Sequence, residues 1–245
     1  VAEIERMTSH GFNAILLPAT PPKPYWSPEF DPIWAAIEAS GAHPFFHTQT
    51  GGVKVKNPDT TTMRVVMQSA QQANMEMTPQ LAAERMVVQA AMSTIVPSKL
   101  ICELIGGGIP DRFPKLHFGL IEFGAGWLFS LMGAMDKAWV TGIGQDSDWW
   151  LGSWDSTKPA TREEQATMAR LFKLNERWPY DLTPSEYVQR QFHVSFQDDP
   201  TAVATRHLTG LSTIVWGNDY PHAEGTFRHS QELIADQFAG VPDHE

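Results

Sequence analysis

Residues 213–227 read Thr-Ile-Val-Trp-Gly-Asn-Asp-Tyr-Pro-His-Ala-Glu-Gly-Thr-Phe, and their reading decides the fold. The apolar run Leu211, Ile214, Val215 and Trp216 has the composition of a buried parallel strand. It ends at Gly217 and delivers Asp219 just before Tyr220-Pro221 turns the chain. A carboxylate just past the end of such a strand stands where α/β sheets keep their chemistry, in the loops outside the carboxyl ends of the strands. A plainer role for Asp219 is to close an Asx turn, or to cap the helix that begins near Phe227.

Working outward, the same pattern recurs along the chain. Apolar strand runs are expected at Phe12–Pro18, His43–His47, Leu116–Glu122 and Gln191–Phe196, before the fifth at Leu211–Trp216. Helical signals separate them. Val1–His10 ends at Gly11, Asp31-Pro32 suits the start of a helix over Ile33–Ala39, and Gly41 stops it. Helical patterning runs from Met63 to Val96, and the short helix Ser98–Ile105 is halted by Gly106-Gly107-Gly108. An apolar helix follows Trp127, residues 140–160 lack a period, and Thr161–Glu164 and Thr183–Glu186 have the capping-box pattern. Asp199-Pro200 opens another helix, and Phe227–Phe238 closes the chain. Strand and helix alternate throughout, which predicts an α/β protein with right-handed crossovers and a parallel sheet, in one domain over residues 1–245.

Composition bounds the function. The net charge of −10, without a compensating basic cluster, excludes a nucleic-acid surface. The single cysteine, Cys102, excludes an internal disulfide and fits a reducing, cytoplasmic setting. No apolar run in the sequence approaches the roughly 20 residues of a membrane span, so no membrane partner is expected.

The side chains that can carry chemistry cluster at strand ends. His47 closes the second strand, where a neutral imidazole can bind a divalent metal. Glu122 closes the third and is a candidate proton shuttle or substrate contact, against a plain ion pair with a loop arginine. His222, three residues after Asp219, fits a supporting role that orients the loop. Trp26, Phe46, Trp127, Trp149 and Trp150 could line an aromatic pocket, although core packing accounts for each of them better. His193 starts a strand and reads as structural, as do Arg112 and the helix-opening Asp198 and Asp199, and Cys102 reads as core. No Gly-x-Ser-x-Gly elbow and no phosphate loop are present.

The segment Trp216-Gly-x-Asp219-Tyr-Pro-His222, together with Pro44-Phe-Phe-His47 and the Arg112-Phe-Pro turn, resembles the amidohydrolase-related family, the decarboxylase-like branch of metal-dependent (β/α)8 hydrolases. The resemblance implies a (β/α)8-type barrel in which Asp219 binds a metal and accepts a proton, and His47 is a further ligand. It implies a divalent cofactor, zinc first with manganese or iron as alternatives, and a small-molecule substrate; a homodimer is left open. The implied reaction is hydrolysis of an ester, lactone or amide through activated water. The alternatives are non-oxidative decarboxylation of an aromatic or unsaturated acid, and a non-catalytic barrel fragment acting as a binding module. Two departures stand out. Relatives that decarboxylate aromatic acids carry His where this chain has Glu122, and the opening strand with His-x-His or Glu-x-His is missing. Five expected strands against the eight of a closed barrel imply the C-terminal part of a longer protein, with long apolar edge strands at Phe12–Pro18 and Leu211–Trp216.

Overall fold

The structure, a computed structural model, describes residues 1–47, 78–141, 178–223 and 225–245. Its strands are β1 (Ala14–Leu17), β2 (His43–His47), β3 (Phe118–Ile121), β4 (Phe192–Phe196) and β5 (Ile214–Trp216). Its helices are α1 (Ala2–Ser9), α2 (Asp31–Ser40), α3 (Pro79–Met92), α4 (Ile95–Gly106), α5 (Ile109–Arg112), α6 (Leu128–Thr141), α7 (Pro184–Gln191), α8 (Pro200–Ala204), α9 (Arg206–Thr209) and α10 (Ser230–Gln237). The five strands form one sheet in the order β1-β2-β3-β4-β5, every pair parallel. Each crossover therefore adds the next strand to the same side, the progression that builds a (β/α)8 barrel. β2 has the expected bounds, and the other strands are shorter than expected. Leu211–Thr213 forms a 3-10 turn rather than the start of β5, and Phe12 and Asn13 stay outside β1.

Register divides the sheet into two chemically distinct faces. Ala14 lies beside His43, Phe45 beside Gly119, Gly119 beside His193, and Ser195 beside Val215. Because side chains alternate along a strand, Phe46, Phe118, Leu120, Phe192, Val194 and Phe196 share one face. They are buried in a common core with Trp34 and Ile37 of α2, Leu100, Ile101 and Leu104 of α4, Leu128 of α6, and Tyr187 and Val188 of α7. Trp34 meets Phe118 edge-on at 6.1 Å between ring centroids, and Phe118 stacks on Phe192 at 4.8 Å. Burying a side chain the size of Phe46 stabilises the fold by about 1.5–3 kcal/mol. Phe46 is thus a core residue on the helix side, as core packing, the better account of it in the sequence, expects.

The opposite face carries Leu16, His43, Phe45, His47, His117, Gly119, Ile121, His193, Ser195 and Val215. In a barrel this face points inward. Leu16 and Val215, on the two outer strands, are 58% and 47% exposed. At Gly119 a Cβ would stand 2.4 Å from the Phe45 ring, so glycine is what lets that ring lie across β3.

The helix boundaries show which local signals hold. Thr183 and Glu186 form the expected capping box at α7, and the Asp199 side chain caps α8 through Ala202 N. Asp31 does not cap α2. It is the first helical residue, and its carboxylate pairs with Arg112 at 2.9 Å, which gives Arg112 the structural role expected of it. Cys102 is exposed on α4 rather than buried in the core. The expectation that no segment matches a membrane span also needs correction. Pro79–Gly106, α3 and α4 together, is long and apolar enough by composition. In the fold, however, the apolar face of α4 is spent on the sheet. The helical pattern before Thr78 and the Thr161–Glu164 box lie outside the described residues.

Candidate metal centre at the strand ends

Asp219 leaves the end of β5 in a strained conformation. Gly217 N still pairs with Phe196 O of β4 at 3.0 Å; two residues later Asp219 has φ 55°, a left-handed backbone that few residues with a Cβ adopt. The turn that follows is closed by its backbone, with His222 N donating to Asp219 O at 2.8 Å and Thr226 N to Asn218 O at 3.0 Å. Gly225 permits this, since a Cβ there would approach the carbonyls of Asn218 and Asp219 to 2.8 Å. The Asx-type bond in the turn belongs to Asn218, whose Oδ1 accepts from Tyr220 N at 3.2 Å. Helix α10 begins only at Ser230, with no side-chain cap. Neither plain role suggested for Asp219 uses its carboxylate. That carboxylate faces His222, with Oδ2 3.1 Å from Nδ1.

Glu122 is the second strained residue, with φ 63° immediately after β3. Among the described residues, Glu122 and Asp219 are the two that adopt positive φ without being glycine. A left-handed backbone costs roughly 1–2 kcal/mol for a residue with a Cβ. The surroundings must hold it, and Glu122 N donates to Ser195 Oγ of β4 at 2.9 Å. The Glu122 carboxylate reaches back to β2, with Oε2 2.9 Å from Nε2 of His47. Among the described residues this histidine faces the carboxylate. The loop beyond is tied to the segment after β4. Asp199 Oδ2 accepts from Ala125 N at 2.9 Å and Gly126 N at 2.7 Å.

These placements gather side chains that stand far apart in the sequence. Glu122, Asp219 and His222 each offer a ligand atom, all within 4.8 Å of one another, and His47 adjoins the group through Glu122. The Glu122 and Asp219 side chains are 22% and 21% exposed, sheltered yet reachable from solvent. Carboxylate oxygens and imidazole nitrogens at this spacing form a donor set suited to zinc, manganese or ferrous iron, so the residues fit the implied cation. His222, expected to orient the loop, and Glu122, expected as a proton shuttle or substrate contact, are both in the compact group with Asp219. His47, expected as a further ligand, adjoins the group through Glu122. Asp-x-x-His spacing across a proline turn was the available signal for His222.

Other named residues fall elsewhere. The Trp127 indole donates to the carbonyls of Phe123 and Gly124 at 3.0 and 2.9 Å, which folds it onto its own loop. Trp26 is half-exposed and seated against Gly107 after α4, where a Cβ would be 2.2 Å from its own. Trp149 and Trp150 lie outside the described residues. At the opposite ends of the strands, His43, His117 and His193 form a row that sequence reasoning missed. Their rings stand 5.5 and 5.1 Å apart between centroids, and His117 Nδ1 is 2.9 Å from His193 Nε2.

Fold and site together describe an α/β protein of the (β/α)8 type, with acidic and imidazole donors collected at the carboxyl ends of its strands. The chain belongs to the amidohydrolase family, whose sequence profile matches residues 1–245. No curated protein matches the chain in sequence. Among solved structures it is similar to an amidohydrolase from Mycobacterium avium subsp. paratuberculosis K-10, with 16% identity, a TM-score of 0.64, and 99% of this chain and 50% of that one covered. It is also similar to a dihydroxybenzoic acid decarboxylase from Polaromonas sp. JS666, solved with manganese and 2-nitroresorcinol (14% identity, TM-score 0.53, 99% and 60% covered). A third is 2,6-dihydroxybenzoate decarboxylase from Rhizobium (15% identity, TM-score 0.52, 97% and 62% covered). At these identities the likeness concerns the fold. The chain spans between half and two thirds of the length of these structures.

Proposed function

We propose that the chain carries the carboxyl-end half of a divalent-metal site in an amidohydrolase-type enzyme, with Glu122, Asp219, His222 and His47 as its donors. The observation that carries this is the meeting of Glu122, Asp219 and His222 within 4.8 Å, with both carboxylates on strained left-handed backbone of the kind that collects at functional sites. A divalent cation held there would lower the pKa of water and polarise a substrate carbonyl. Asp219 accepts a proton from the water that attacks an ester, lactone or amide carbonyl. His222, hydrogen-bonded to Asp219 Oδ2, orients that carboxylate and steadies its charge. Glu122, at His47 Nε2, is placed to relay a proton toward the leaving group.

A second reading is non-oxidative decarboxylation of a small aromatic acid, favoured by the decarboxylases among the structural neighbours. Here the same cluster would face the substrate's carboxylate and an adjacent hydroxyl, and Glu122 or Asp219 would hand a proton to the ring carbon as carbon dioxide leaves. One experiment separates the readings. Protein loaded with Mn(II) or Zn(II) is assayed for carbon dioxide release from 2,6-dihydroxybenzoate and for hydrolysis of aryl esters and lactones. Hydrolysis alone supports the first reading and carbon dioxide release the second. Failure to bind either metal removes both.

A further inference from the structure

The cluster draws its donors from the ends of β2, β3 and β5, and β4 lies between the last two. What β4 provides at that level is Ser195. Pairing between β3 and β4 stops at Leu120 and Val194, one rung before Ile121 and Ser195 would meet. There the chain turns away through Glu122 at φ 63°, and the amide that leaves the ladder is taken up by the Ser195 hydroxyl at 2.9 Å. Buried or half-buried backbone N–H groups require such a partner. A hydroxyl can supply it where the neighbouring strand's carbonyls have run out of register.

The far end of the same loop is held by the same neighbour. Asp199 accepts from Ala125 N and Gly126 N through Oδ2 and from Ala202 N through Oδ1 at 3.0 Å, which joins the loop to the start of α8. Gly126 leaves no room for a side chain, since a Cβ would stand 2.6 Å from Asp199 Oδ1. The Glu122–Gly126 segment is therefore clamped at both ends from β4 and the turn after it. Of the two clamps, Ser195 acts directly on the strained residue.

We propose that Ser195 is a positioning residue for the cluster: its hydroxyl holds the Glu122 amide in the left-handed conformation that presents the Glu122 carboxylate to Asp219 and His222. This rests on the reading of Glu122 as part of a metal site. Without the hydroxyl the amide is released, the backbone relaxes toward an extended conformation, and the carboxylate swings away from β5. The role differs from packing, because a residue of similar size without the hydroxyl does not replace it.

Two substitutions and two readouts test this. Mn(II) affinity is measured by titration, and amide hydrogen exchange is followed at Glu122, for Ser195→Ala and Ser195→Thr. Ser195→Ala should weaken Mn(II) binding about tenfold, the lower range for residues that orient ligands, and should speed exchange of the Glu122 amide. Ser195→Thr keeps the hydroxyl on a residue suited to strands and should restore both. Unchanged exchange at Glu122 in Ser195→Ala overturns the proposal, whatever happens to the metal. Unchanged Mn(II) affinity in Ser195→Ala, alongside a loss in Glu122→Gln, overturns it while leaving the metal reading intact. If Glu122→Gln also binds Mn(II) normally, the metal reading itself has failed.

Discussion

The two ends of the sheet gather histidines and use them in opposite ways. At the carboxyl end His47 and His222 each face a carboxylate, Glu122 at 2.9 Å and Asp219 at 3.1 Å. At the amino end His43, His117 and His193 face one another. There His193 Nδ1 lies 2.8 Å from Ser212 O and must donate to it, so in the neutral pair His193 Nε2 accepts from His117 Nδ1–H. His43 Nδ1 is buried with no hydrogen-bond partner among the described residues. A carboxylate beside an imidazole gives a cation a second, negatively charged donor, whereas an imidazole beside an imidazole offers it none. Whether an imidazole at a strand end recruits positive charge or excludes it depends on its neighbour.

The largest effect that would break this contrast concerns Asp219. Asp219→Asn keeps the volume of the side chain but cannot accept a proton. It should lower turnover of the active enzyme by about 10²–10⁴-fold with a normal melting temperature. Unchanged kcat would reduce Asp219 to a turn residue.

Next in size is a direct comparison of the two ends. His222→Gln or His47→Gln should weaken Mn(II) binding by about 10–100-fold, while His117→Gln or His193→Gln should leave it unchanged. Equal losses at both ends in a titration would erase the distinction.

A third substitution lies between them. Gly119→Ala forces a methyl against the Phe45 ring, and overpacking of this kind costs about 1–3 kcal/mol. Urea unfolding should show the loss, with Mn(II) affinity retained in the folded fraction.

The smallest effect is in pH. Burial first, then the neighbouring His193 and His43, hold His117 below its ordinary value of 6.5. The unfolded chain then binds more protons than the folded one between the two values, so stability rises with pH there. The contribution is complete above the unfolded value and is lost as pH falls through the folded one. Between about pH 6.5 and 5, where carboxylates remain ionised, the urea midpoint of the native protein should decline. His117→Phe should flatten that decline, and an equal slope in both proteins would show that the row of histidines does not control it.

Much of the fold was legible in the residues themselves. Apolar runs bounded by glycine, proline and capping residues place all five strands within a few positions, and alternation with helical patterns requires a parallel sheet. The capping box at Thr183 and the cap at Asp199 were readable because each bond spans three residues. The cap expected at Asp31 failed because Arg112, 81 positions away, takes its carboxylate. Trp127 was ambiguous because its indole can bind its own loop or line a pocket, and only the folded loop decides.

The sequence by itself determined that His47, Glu122 and Asp219 end their strand segments, since strand ends follow from local hydrophobicity and turn chemistry. Parallel strands then bring such residues to one edge of the sheet. Only the tertiary structure decided which of them meet. Strand order, register and two left-handed backbones set the distances among Glu122, Asp219 and His222. The Ser195 hydroxyl and the row at His43, His117 and His193 likewise exist only once β2, β3, β4 and the Ser212 turn are side by side. These are contacts across the hydrogen-bonding direction of the sheet, and a linear chain carries no signal for them until its strands have found their register.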